Sequence, residues 1–150
     1  MGPMFVRSQP DPVLLSDIRV LHNLLVSESH HQRAVVRDYM AQVQQLITPN
    51  HRKIVTDWML EVCQSEGLAP GVFLSSVLYL DTILSQLSLA PSRLQLLAST
   101  CLSLASKLAS PRPLSLCRLV IATDCSVRLQ ELQASNLDLW KTKWFHANYS

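Results

Sequence analysis

Five histidines, at positions 22, 30, 31, 51 and 146, and four cysteines, Cys63, Cys101, Cys117 and Cys125, are the side chains best suited to hold a metal or attack a substrate. Their spacing argues against both uses. No His-Glu-x-x-His pair and no Cys-x-x-Cys pair occurs, and His30-His31 reads as a polar connector rather than a ligand pair. Asp57 and Glu61 stand four residues apart and would share one helix face. Without a metal, a pocket or a basic partner they read as a solvated face rather than an acid–base pair. The three glycines, Gly2, Gly67 and Gly71, supply neither a phosphate loop nor a Gly-x-Ser-x-Gly nucleophile turn. The expectation is a protein that is not an enzyme and uses no metal or cofactor.

The bulk composition points to a globular chain. The 150 residues are 48% hydrophobic and 16% charged, enough apolar material for a filled core. A chain of this length can bury roughly 68–70% of its unfolded surface, so it needs no staples to fold. The net charge is +2, with basic residues in scattered pairs such as Arg52-Lys53, and nucleic acid is not the expected partner. Apolar stretches such as Leu94 to Leu97 are interrupted well before the ~18 residues that suggest a membrane span. The beginning of the sequence carries no pattern of a secretory signal, so the cysteines read as reduced core thiols and the expected location is nucleus and cytoplasm.

The elements that would position these residues are helices. Leu14, Leu15, Ile18, Leu21, Leu24 and Leu25 fit one amphipathic helix, followed by a polar connector over Ser27 to His31. A second helix is predicted from Ala34 to Leu46, with Asn50 as the cap of the next. Ile54, Val55, Trp58, Met59 and Val62 recur at spacings of three and four, giving a stripe for a core. Pro70 opens a helix through Leu84, and Pro91 opens the next, Leu94 to Leu108, whose mixture of small and apolar residues on several faces predicts a central helix. Pro111 and Pro113 end it. A short helix over Leu114 to Ala122 and a last one, capped by Ser126 and running towards Trp144, complete the pattern.

The wording of these helices resembles the cyclin box, especially that of D-type cyclins. His51 to Cys63, reading His-Arg-Lys-Ile-Val-Thr-Asp-Trp-Met-Leu-Glu-Val-Cys, is similar to the opening of that box. Tyr79-Leu-Asp81, the run Ser92 to Leu97, the run Leu104 to Lys107, and Thr123-Asp124 follow at the family's intervals. Five such segments in order make chance likeness improbable. The resemblance implies an all-α fold: a single five-helix cyclin box, residues 34–145, preceded by N-terminal helices, with a leader at 1–33 containing one amphipathic helix. Residues 146–150 are unlike the family's linker, and the second helical repeat that normally follows is not found, so a truncated or alternatively spliced product is expected.

The resemblance also implies roles. It makes Arg52 and Asp81 a structural ion pair between the first two box helices. It makes Ile54, Val55, Trp58, Glu61, Leu94 and Gln95 a patch that receives Arg-x-Leu docking motifs of substrates and inhibitors, with His51 where the family usually has methionine. Periodicity alone would assign Ile54, Val55 and Trp58 to the core, and Val55 stays open between the two. Lys107 matches a lysine that meets the regulatory helix of a cyclin-dependent protein kinase of the kind bound by D-type cyclins. Asn136 falls where the partner glutamate is expected, so Lys107 would lack its carboxylate; a surface lysine is the other reading. Thr82 replaces a family arginine. The implied function is a cyclin-like regulatory subunit in cell-cycle control. The alternatives are a non-activating decoy, or another interaction module with a cyclin box, of the transcription-factor or pocket-protein kind.

Overall fold

A computed structural model describes residues 11–34 and 38–141, and among these every regular element is a helix. The all-α expectation is met. The chain divides into two compact units, residues 1–34 and 35–150. The end of the last predicted helix at Trp144 and the tail 146–150 lie outside the described residues.

In the first unit, Asp11 caps α1 (Pro12–Ser16) by accepting from the Val13 N–H at 2.8 Å, with Pro12 at the first helical position. Helix α2 (Ile18–Ala34) follows. It runs straight through Ser27 to His31, where a connector was expected. Ser29 is accommodated within it: its hydroxyl folds back to donate to the Val26 carbonyl at 2.7 Å.

The second unit begins with a single turn, α3 (Tyr39–Gln42), entered from Asp38 in the left-handed region at φ 57°. Beyond Gln42 the predicted helix does not continue to Leu46. Gln44 is buried, and its side-chain amide donates to the Leu84 and Leu87 carbonyls while its oxygen accepts from the Leu89 N–H at 3.2 Å. Those bonds fasten the chain across the end of α5 in a non-helical course. Helix α4 (Pro49–Ser65) then starts two residues earlier than expected for an Asn50 cap. Thr48 is the cap, accepting from the His51 N–H, and the His51 ring accepts in return from the Thr48 N–H at 3.1 Å.

Helices α5 (Pro70–Leu84) and α6 (Leu94–Ala109) pack closely, and α6 also touches α4, α7 (Leu116–Ala122) and α8 (Leu129–Lys141). A 3-10 turn at Pro91–Arg93 leads into α6. Every residue from Leu97 to Ser106 is buried, so α6 is the central helix its composition predicted. Small side chains permit this crowding, and the hydroxyls of Ser99 and Thr100 donate to the Gln95 and Leu96 carbonyls at 2.8 Å each. Met59, Leu80, Leu84, Leu102, Leu119 and Leu132 are among the largest wholly buried side chains, one or more from each long helix of the unit. Ser115, not Leu114, marks the entry to α7. Ser126 does not cap α8: its hydroxyl donates to Gln95, and the Glu131 carboxylate instead accepts from the Arg128 N–H at 3.1 Å at the start of α8.

Candidate functional sites

Helix α4 sends one row of side chains inward and the adjacent row to the surface beside α6. Between the two helices lies a cavity of about 290 Å³ lined by His51, Ile54, Val55, Trp58, Pro91, Leu94 and Gln95. Its floor and its rim differ in burial. Val55 and Leu94 are 7% and 5% exposed, so they belong to the core as well as to the groove, whereas Ile54 at 59% is an apolar side chain held in water. Val55 is thus a core residue that also lines the groove. Trp58 is half-buried and its indole N–H donates to the Ala122 carbonyl at 3.1 Å, which fixes the ring against α7. Gln95 is oriented by the Ser126 hydroxyl, which donates to its side-chain oxygen at 2.8 Å. Glu61 is exposed on α4 and is not among the lining residues, so the groove has an aromatic and aliphatic wall without an acid in it. Pro91, read in the sequence only as a helix opener, joins the lining.

Beneath the same helix, Arg52 meets Asp81 of α5 through two nitrogens, Nε to Oδ1 and Nη2 to Oδ2, each at 2.7 Å. The Tyr39 hydroxyl donates to the same Oδ1 at 2.7 Å. Asp81 therefore ties α3, α4 and α5 together. The hydrogen bond to Asp81 raises the Arg52 pKa, and burial followed by the Asp81 contact raises that of Tyr39. The arginine and aspartate side chains are 35% and 17% exposed, so the pair is half-buried rather than sealed from water. Nothing in the sequence announced Tyr39, because it lies 42 residues from its partner.

At the far end of α6 a second cavity, of about 370 Å³, is lined by Leu104, Lys107, Leu108, Asn136 and Leu137. Lys107 and Asn136, 29 positions apart by number, thus line one cavity. Lys107 is exposed, and Leu108 and Leu137 beside it are 52% and 56% exposed. Asn136 is 7% exposed; its Nδ2 donates to the Leu132 carbonyl of its own helix at 2.8 Å, while its buried Oδ1 has no hydrogen-bond partner. The leucines were not singled out in the sequence, though their position one and three residues from Lys107 and one from Asn136 is a signal that could have found them. Thr82 is buried, with its hydroxyl donating to the Leu78 carbonyl at 2.7 Å.

Among the described residues no cluster of histidine, cysteine or acidic side chains could hold a metal ion, and no helix is long and apolar enough to cross a membrane. What the site chemistry offers is recognition: an apolar groove with a fixed indole, and an apolar cavity with one cation and one orphan acceptor.

Comparison with known proteins bears on the family and the fold. The family described as "Cyclin, N-terminal domain" matches residues 19–143. The chain is 43% identical to the G1/S-specific cyclin-D2 of Xenopus laevis over 144 residues, which is 95% of this chain and 49% of that protein. It is 44% identical to the G1/S-specific cyclin-D1 of Mus musculus and 42% identical to the G1/S-specific cyclin-D3 of Bos taurus, in each case over 92% of this chain and 46% and 47% of theirs. The chain spans about half the length of the curated relatives it matches. A solved viral cyclin from herpesvirus saimiri superposes with a TM-score of 0.62 at 25% identity, over 79% of this chain and 54% of the viral protein. Helix order and sequence relationship lead to one assignment: this chain belongs to the cyclin family, by way of the cyclin N-terminal domain.

Proposed function

We propose that this chain is a cyclin-like regulatory subunit that binds a cyclin-dependent protein kinase, acting in nucleus and cytoplasm, and that it presents the groove between α4 and α6 to substrates or inhibitors carrying Arg-x-Leu motifs. One observation supports the kinase-binding half above the others. Lys107 and Asn136, from two different helices, line one cavity edged by exposed leucines. Apolar side chains held in water around a single cation make a surface that gains by being covered, with Leu108 and Leu137 as the natural anchors.

A non-activating decoy is the second reading, and the Asn136 side chain favours it. An amide cannot neutralise Lys107, so closing a partner over the lysine desolvates its charge without a local carboxylate. The experiment that separates the two is capture on a panel of purified cyclin-dependent kinases followed by a kinase assay. Binding with activity supports the regulator; binding without activity supports the decoy; absence of binding across the panel rejects both. In the same assay Asn136→Glu should strengthen binding about tenfold or more, the scale of ~1.4 kcal/mol, and Lys107→Ala should remove most of that gain. A double-mutant cycle with coupling near zero would show that the two positions do not act on a shared partner.

A further inference from the structure

Two places in the sequence put a hydroxyl immediately before a proline, Thr48-Pro49 and Ser110-Pro111. Proline-directed protein kinases read that pattern, and the fold treats the two sites oppositely. Ser110 is half-buried at the C-terminal end of α6, where its hydroxyl donates to the Arg112 carbonyl at 2.9 Å and accepts from the Arg112 N–H at 3.3 Å. A phosphate there could no longer donate to the Arg112 carbonyl and would face the negative end of the helix dipole. Thr48 is exposed, with extended backbone at φ −105° and ψ 162°, and caps the N-terminal end of α4. A kinase takes its substrate extended, and Thr48, like Ser110 at φ −120° and ψ 134°, already is; what sets Thr48 apart is its exposure and its place at the positive end of a helix.

The position of Thr48 also gives a phosphate something to do. Its Oγ1 lies 3.2 Å from the His51 ring nitrogen Nδ1, and His51 is one wall of the groove. The groove lining contains no carboxylate to meet an arginine. The two cations that open α4 are already engaged, Arg52 by Asp81 at 2.7 Å and Lys53 by Asp57 at 2.8 Å, so an added negative charge is not cancelled by an idle neighbour on this helix. We propose that Thr48 is a phosphorylation site for a proline-directed protein kinase, and that its phosphate supplies the anion the groove lacks, strengthening its hold on arginine-containing peptides. The transfer forms a bond from Thr48 Oγ1 to the γ-phosphorus of ATP as the bond from that phosphorus to the β–γ bridging oxygen breaks. ADP leaves, and the hydroxyl proton passes to a base of the kinase. The second half of the proposal rests on the docking function given to the groove above.

The test uses the full chain, ATP and a purified proline-directed kinase, with the product mapped by mass spectrometry. Phosphate is expected on Thr48 and not on Ser110, and Thr48→Ala should lose it. The modified and unmodified chains are then titrated, by fluorescence anisotropy, with a labelled peptide containing Arg-x-Leu and with a twin whose arginine is alanine. The modified chain should bind the arginine peptide about tenfold tighter, the scale of one charge-assisted hydrogen bond, with the gain shrinking in high salt and the twin unaffected. Phosphate absent from Thr48, or placed on Ser110 instead, overturns the proposal. Equal binding of the arginine peptide by both forms overturns it while leaving the docking function standing. If neither form binds either peptide, the docking function itself fails and takes the second half of the proposal with it, and the mapping alone then decides the first half.

Discussion

Asp81 accepts from two residues at once, and this decides how its loss of partners should read out. Removing Arg52 leaves the carboxylate the Tyr39 hydroxyl and partial access to water, so the 3–5 kcal/mol typical of breaking a fully buried pair is too much here. Arg52→Ala should lower stability by about 2 kcal/mol and Tyr39→Phe by about 1 kcal/mol, measured by denaturant unfolding. An unchanged midpoint for Arg52→Ala would mean that water replaces the guanidinium at no cost. Tyr39 also sets a direction with pH. Its folded pKa is raised, while an unfolded tyrosine ionises near about 10, so its contribution is complete below that pH and is lost as pH rises beyond it. Tyr39→Phe should flatten the alkaline loss of stability relative to the native chain. The cysteines divide in the same residue-by-residue way. Burial pushes the Cys63 thiol up to about 11 and raises Cys101 further, whereas Cys117 and Cys125 are exposed. Alkylation at neutral pH should therefore modify Cys117 and Cys125 in the folded chain and all four cysteines only after denaturation.

At the scale of the helix, α6 is where buried polarity is concentrated. The Ser103 hydroxyl is buried without a partner, while the hydroxyls of Ser99, Thr100 and Ser106 have theirs. Ser103→Ala should consequently be neutral or raise stability by up to about 1 kcal/mol, whereas Ser106→Ala, which also frees the Leu114 N–H that bonds to it at 3.1 Å, should cost about that much. A thermal melt of the two variants would show opposite shifts. The helices themselves were largely legible in the sequence, for reasons local to each. The three-and-four spacing of Val55, Met59 and Val62, the prolines at 70 and 91, and the small residues of α6 all act within a few positions of the backbone they shape. What was not legible came from distant partners. Gln44 stops a helix because of carbonyls forty residues on, Ser126 is drawn from capping by Gln95, and Tyr39 is recruited by Asp81. The groove residues could be grouped only through family resemblance, since periodicity by itself sends Ile54 and Trp58 to the core; the cavity that gathers them with Leu94 and Gln95 is a fact of tertiary packing.

For the whole molecule, far-ultraviolet circular dichroism should show helix with no substantial sheet, and a sheet signal would contradict the fold. The two candidate sites stand at opposite ends of one buried helix, with Leu94 and Gln95 on the first turn of α6 and Lys107 and Leu108 on the last. Thirteen residues of helix separate Leu94 from Lys107, a span of about 20 Å at 1.5 Å per residue. Because α6 is packed on all sides, that span is a fixed ruler rather than a flexible tether. Two segments of one ligand seated at its ends are held at a set separation, and once the first is bound the second arrives at an effective concentration fixed by geometry instead of by bulk supply. A single peptide reaching from the groove to a partner at Lys107 would need at least about six extended residues to cover the distance. Peptides shorter than that should gain nothing in avidity from occupying the groove, whatever their affinity for it.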